Sequence, residues 1–193
     1  MLKGVGNRNL NIMFGDFCYF NRHTLHERYT PLGIGLIGQY TKQQFGEDVE
    51  VSLFKSVDKF LEKAAEKAPD VIGLSVYYWN MAQNQYVVSR IREMYGKNVL
   101  VVLGGPSIDN EIKEQHKFLS TVFPAADAVI INEGEIGFTN IIRKVFDNRD
   151  NLFKDAIDGI SFLNGDEVIQ GHAVGTNIDL STVGSHPVFL FST

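Results

Sequence analysis

Short apolar runs alternate with amphipathic stretches along most of the chain, and the period of each run assigns it to an element. Asn9 to Phe14 is apolar and stops at Gly15-Asp16, which predicts a first strand. Pro31 opens a helical stretch to Phe45, with Thr30 in the capping position. Val49 to Phe54 alternates and is rich in β-branched residues, as a second strand should be. Ser56 can cap a helix reaching Ala68, whose Val57, Phe60, Leu61, Ala64 and Ala65 share a face. Val71 to Val76 predicts a third strand, followed by a helix over 81–95 with Val87, Val88, Ile91 and Met94 on its apolar side. Val99 to Leu103 is continuous in the manner of a central parallel strand. A polar helix from Ile112 to Phe123, a strand from Ala128 to Ile131 and a helix from Phe138 to Phe146 complete the pattern. Strict β-α alternation of this kind predicts a doubly wound, flavodoxin-like α/β domain with a parallel five-stranded sheet.

Beyond Asp158 the character changes. Gly159 to Ile169 reads as a β-hairpin turning at Asn164-Gly165, and residues 171–193 are loop-like until the apolar Val188-Phe-Leu-Phe191. The chain therefore divides into an α/β domain over 1–150 and a hairpin and linker extension over 151–193. An apolar tail of this kind is expected where a chain has been cut from a longer protein or docks on a partner.

Composition narrows the function classes. A formal charge of -5 leaves no basic footprint for nucleic acid. The single cysteine, Cys18, forbids an internal disulfide and any all-cysteine metal cluster within the chain. No apolar stretch has the length of a membrane span and the polar opening is no secretory signal, so the chain is read as cytoplasmic.

The strand ends carry the candidate chemistry. In an open parallel sheet, ligands bind beyond the carboxyl ends of the strands. Here those ends read Ser75-Val76-Tyr77-Tyr78-Trp79-Asn80, Gly104-Gly105-Pro106 and Asn132-Glu133-Gly134-Glu135. They describe a groove with bare backbone on one side and hydrogen-bonding groups on the other. Each has a bland alternative: a tight turn for the glycines, core aromatics for the tyrosines, a solvated pair for the glutamates. Gly33-Ile-Gly35-Leu-Ile-Gly38 matches the dinucleotide fingerprint in letters, but a proline-ended polar segment precedes it instead of a strand, so its glycines are expected inside a helix packed on the sheet. A phosphoacceptor domain needs an Asp after strand three and a Lys after strand five, and Ser75 and Asn132 stand there. The loop after strand one, Gly15 to Arg22, is aromatic and cannot cradle a flavin phosphate. His23 and His26, beside Cys18 and Glu27, lack further ligands to fix a metal, so no metal site and no catalytic residue is assigned.

Taken in order, Pro31-Leu-Gly33-Ile-Gly35, Gly73-Leu-Ser75-Val-Tyr77-Tyr-Trp79-Asn80, Gly104-Gly-Pro106 and Asn132-Glu-Gly-Glu135 resemble the amino-terminal cobalamin-binding domain of cobalamin-dependent radical S-adenosylmethionine (SAM) proteins. The similarity covers about residues 9–147, and residues 159–187 look like the hairpin and linker that lead into the radical domain of such proteins. The resemblance implies cobalamin contacts from Phe17, Cys18, Ser75, Val76, Tyr77, Trp79, Asn80, Gly104, Gly105, Pro106, Asn132, Glu133, Gly134 and Glu135. Ser75 and its loop would meet corrin side chains or the nucleotide tail, and Gly104 and Gly105 would leave room for that tail.

Two departures qualify the likeness. The histidine-ligating form of this domain carries Asp-x-His-x-x-Gly after strand one, whereas this chain reads Asp16-Phe-Cys-Tyr-Phe-Asn-Arg-His23. Cobalamin is therefore expected base-off and without a histidine ligand, its lower face against Trp79, Tyr77 or Phe17. The radical chemistry also needs a three-cysteine cluster motif, which this chain lacks. An iron–sulfur cluster and SAM would belong to a carboxyl-terminal radical SAM domain, the expected partner, and the whole enzyme would transfer methyl groups or rearrange an unactivated carbon centre. The rival readings are a stand-alone corrinoid carrier and a cofactor-free interaction module.

Overall fold

The structure, a computed structural model, describes residues 9–17, 20–21, 24–25 and 31–175. In chain order the elements are β1 (Leu10–Gly15), a two-stranded ribbon β2 (Phe20–Asn21) and β3 (Thr24–Leu25), α1 (Leu32–Phe45), β4 (Val49–Phe54), α2 (Val57–Glu66), β5 (Val71–Ser75), α3 (Met81–Tyr95), β6 (Leu100–Gly104), α4 (Ile112–Lys117), β7 (Ala128–Ile130), α5 (Gly134–Asn148), β8 (Ile160–Asn164) and β9 (Glu167–Gln170). The main sheet runs β4-β1-β5-β6-β7-β8-β9. Its first five strands are parallel, and the crossover direction reverses between β1 and β5. That is the flavodoxin-like order, and it places the switch point beside the carboxyl end of β1.

Alternation along the strands feeds two cores. On one face Ile12 and Phe14 of β1 pack with Ile34 of α1 and Phe138, Ile141 and Ile142 of α5. On the other, Met13 and Ile72 pack with Phe60 of α2 and Val87 and Ile91 of α3. Asn11 is the polar exception within β1: its side chain donates to the carbonyls of Lys67 and Ala68, holding the α2–β5 connection against the sheet. At the amino ends of the strands, the Asp127 carboxylate accepts from Arg92 of α3, from Lys97 and from the Val101 amide. Among the described residues no helix is long and apolar enough to cross a membrane.

Several expectations need correction. The sheet has seven strands, not five, because β8 and β9 pair antiparallel onto β7 and extend the same sheet. The close approach of α5 makes this possible: a Cβ on Gly137 would lie 2.7 Å from the Gly159 carbonyl oxygen. The hairpin turns on Gly165-Asp166, one residue later than expected, since Asn164 pairs with Glu167. The last core helix starts at Gly134, not Phe138, so Gly134 and Glu135 are its first turn. The helix expected over 112–123 is α4 followed by a wider π-turn over Phe118–Val122. Of the fingerprint-like glycines only Gly38 is buried, and a Cβ on Gly33 or Gly35 would meet nothing within 4 Å. Those two do not pack on the sheet. Pro31 itself caps α1, and Thr30 lies outside the described residues.

Asp16, just past β1, donates its amide to the Phe54 carbonyl and is partly buried. Burial pushes its carboxyl up to about 6, with Lys55 opposing. A carboxyl raised in the folded state contributes stability that is present at low pH and lost as pH rises through that value. The expected outcome is a fall in melting temperature between the ordinary carboxylate range and neutrality that is flattened in Asp16→Asn. Identical pH slopes for the two proteins, measured by thermal unfolding, would remove Asp16 as the source.

Candidate functional site

The turn after β5 is built from buried amides. The Val76 amide donates to the Gly104 carbonyl at 2.7 Å, which carries the β5–β6 pairing one step past the strand. Asn80 then folds back: its Oδ1 accepts from the Tyr77 amide at 2.8 Å and its Nδ2 donates to the Ser75 carbonyl at 3.0 Å. Asn84, one helical turn on, donates to the same Ser75 carbonyl and to Asn80 Oδ1. Both asparagines are fully buried, so the turn is held from behind. In front of it Tyr77 and Trp79 stack with ring centroids 4.4 Å apart, and Tyr78 meets Trp79 edge-on.

The two glycines after β6 have separate jobs. Gly105 has φ of +111°, and a Cβ there would stand 2.7 Å from the Val76 carbonyl oxygen. No side chain fits, because backbone cannot give way as a rotamer can. Gly104 is different: its Cβ would make ordinary contact with Ile130 at 3.6 Å. After β7 the chain reverses at Asn132, with φ of +61°, and Asn110 donates a hydrogen bond to the Asn132 side chain. Gly134 opens α5 where a Cβ would collide with Ile37 of α1 at 2.3 Å, so the two helices meet closely at this end.

Between these turns lies a cleft of about 470 Å³, at the carboxyl ends of β1, β5, β6 and β7 and on the α1/α5 face. Its floor is apolar. Phe14 and Phe138 meet at 4.7 Å over Gly73, where a Cβ would strike the Phe14 ring. Ile34, Ile37, Val102 and Ile130 continue that surface. Ser75, Tyr77, Gly104, Gly105, Pro106, Asn132, Glu133, Gly134 and Glu135 all line the cleft, so three strand ends distant in sequence come together.

Other residues singled out in the sequence lie elsewhere. Phe17 and Val76 are buried in the core facing α2 and α3, Phe17 edge-on to Phe60. Asn80 is buried in the amide clamp, and Trp79 stands outside the cleft as the half-exposed partner of Tyr77. Cys18, His23 and His26 fall outside the described residues. Sequence reasoning missed the floor, Phe14, Gly73 and Phe138, and the α1 wall, Ile34 and Ile37. Alternation along β1 puts Phe14 on the face opposite Met13, and the Ile34–Ile37 spacing marks one helix face. Those signals report burial, however, and not that a cleft borders it.

A family model described as the B12 binding domain matches residues 20–142. The chain is 29% identical over 153 residues to the cobalamin-dependent radical SAM methyltransferase TokK of Streptomyces tokunonensis, a match spanning 74% of this chain and 21% of that protein. It is 30% identical over 149 residues to the 2-(S-pantetheinyl)-carbapenam-3-carboxylate methyltransferase of Streptantibioticus cattleyicolor, with the same two shares. The match thus spans about a fifth of the length of these curated relatives. A solved cobalamin-binding protein from Desulfitobacterium hafniense shares the fold with a TM-score of 0.51 at 15% identity, covering 71% of this chain and 59% of that one. With the family model matching well over half of its length, the chain belongs to the B12-binding domain family.

Proposed function

We propose that this chain binds cobalamin base-off, with the nucleotide tail in the cleft, as the cofactor-holding portion of a radical SAM methyltransferase. The observation that carries the reading is the cleft itself: apolar floor, polar rim, and, among the described residues, no Lys, Arg or His in its lining. A dinucleotide or flavin phosphate finds no cation there among the described lining residues. A flat neutral base with an attached sugar matches the floor made by Phe14, Phe138 and Ile130, and pockets of this size are typical for such groups.

The fit assigns roles to this chain's residues. Gly104 and Gly73 keep the floor open, and Ser75, Asn132 and Glu133 offer hydrogen bonds at the rim. The Tyr77–Trp79 stack gives a flat apolar surface beside the cleft mouth for the lower face of a corrin. Phe17, buried on the far side of the sheet, drops out as a candidate for that surface. Bound cobalamin would supply a cobalt centre able to carry a methyl group; the domain's task is to orient it and keep water from its lower face. By analogy with the longer relatives, an iron–sulfur cluster, SAM and the substrate site belong to a further domain of the full protein. A stand-alone corrinoid carrier would need the same cleft.

The first test is retention. Purified chain mixed with hydroxocobalamin and desalted is expected to keep near-equimolar corrinoid; loss of all colour from folded protein hands the chain to the interaction-module reading. The second uses the glycine pair. Gly105→Leu is expected to unfold the apo protein, whereas Gly104→Leu should melt close to wild type and bind cobalamin at least about tenfold more weakly, as an overfilled cleft implies. Undiminished binding by folded Gly104→Leu would place the tail elsewhere. The third concerns cobalt. The described histidines, His116 and His172, lie on α4 and beyond β9, away from the cleft lining. Electron paramagnetic resonance of the Co(II) form is expected to show high-field lines without nitrogen triplets. Triplets that survive removal of the dimethylbenzimidazole base would put a protein histidine on cobalt.

A further inference from the structure

The rim of the cleft is held by a strand that does not line it. Asn132, at φ of +61°, accepts a hydrogen bond on its Oδ1 from Asn110 Nδ2. Asn110 is itself held: its carbonyl accepts from Gln170 Nε2 at 3.3 Å, and the same nitrogen donates to Gln115 Oε1 at 3.1 Å. A side-chain amide has two N–H groups, so Gln170 commits both to this junction. Gln115, which receives the second, is fully buried in α4. A backbone tie comes from the other end of the hairpin, where the Ile131 amide donates to the Gly159 carbonyl at 2.9 Å. Residues at both ends of the β8–β9 hairpin therefore bear on Asn132, although β9 is the outermost strand of the sheet.

We infer that Gln170 is a positioning residue for the cleft: through Asn110 it sets the Asn132 amide with its donor end left for the ligand, which makes the hairpin a working part of the site. This rests on the cobalamin reading given above. With Oδ1 engaged by Asn110, the Asn132 amide has only its Nδ2 to offer, and among the described residues nothing is bonded to that nitrogen. Glu133 and Glu135 on the same wall are acceptors when ionised, so the Asn132 donor is what that wall has for the acceptor oxygens of a corrinoid. Without the Asn110 bond the amide is free to turn over and present its oxygen. Without Gln170 the backbone that places Asn110 is released. A contact group keeps a productive orientation only when the residues behind it are themselves fixed.

A double-mutant cycle separates positioning from general stability. Cobalamin affinity is measured by equilibrium titration for wild type, Gln170→Met, Asn132→Gly and the double variant, with apo melting curves alongside. The Asn132 side-chain amide is followed by NMR in the apo wild type and in Gln170→Met. Methionine keeps the length of Gln170 without its donors, and glycine keeps the positive φ at residue 132. Gln170→Met is expected to bind cobalamin about fivefold more weakly, the scale of one hydrogen bond, and to shift the Asn132 amide resonances before any ligand is added. The double variant is expected to bind no more weakly than Asn132→Gly alone, because Gln170 acts only through that amide. Losses that multiply would make Gln170 a general support of the fold and overturn the proposal, as would unchanged affinity in Gln170→Met or an amide that does not move. Should Gln170→Met melt early, Asn110→Ala at an exposed position takes its place with the same expectations. A wild type that binds no cobalamin would end the cobalamin reading and this inference with it. An unmoved amide beside a wild type that binds would remove this inference alone.

Discussion

The site depends on one steric constraint, the passage of Gly105 over the backbone of Val76. The Val76 amide bonds to the Gly104 carbonyl and the Ser107 amide to the Val76 carbonyl, so the chain leaving β6 is fastened to the chain leaving β5 on both sides of the turn. With φ of +111° and no room for a Cβ, the turn exists only as glycine. The segment that follows borders the cleft at the ends of β5, β6 and β7 through Pro106, Ile108 and Asn110, and Asn110 bonds across to Asn132.

The two ends of the sheet are held by different physics. At the amino ends, Asp127 gathers Arg92, Lys97 and the Val101 amide. Its side chain and that of Arg92 are nearly buried, so their attraction is less screened than a surface pair. At the carboxyl ends, the side-chain amides of Asn80 and Asn84 do the fastening, and the acids of the cleft wall, Glu133 and Glu135, take part in no ion pair among the described residues. Stability and recognition therefore draw on separate residues. Changes to the cleft lining can alter what is bound without loosening the ion cluster at the other end.

The parallel half of the fold was legible because β1, β5, β6 and β7 are buried on both faces and read as apolar runs, while the edge strand β4 alternates. The added pair β8 and β9 was legible as a hairpin but not as part of the sheet. Its attachment is to β7, a strand of three residues, through a close approach of Gly137 to Gly159 that no pattern announces. The start of α5 was misplaced because Glu-Gly-Glu has the composition of a loop, while the acids serve there as a first helical turn. The rim of the site followed from the switch-point rule applied to three strand ends. Its floor did not, since Phe14 and Phe138 look like ordinary core residues until the empty space above Gly73 is seen. Asn80 shows the converse: a polar residue at a strand end that the fold consumes as a clamp.

That clamp bears on how any ligand is received. The Ser75 carbonyl accepts from Asn80 and Asn84 and the Tyr77 amide donates to Asn80, so the turn that carries the stacked Trp79 is ordered from within the protein. The entropy of arranging this surface is thus spent during folding and is not charged against association. An incoming molecule meets a preorganised platform. Its rate of capture is then governed by diffusion and orientation, and its residence time by how well it fills the cleft beside that platform.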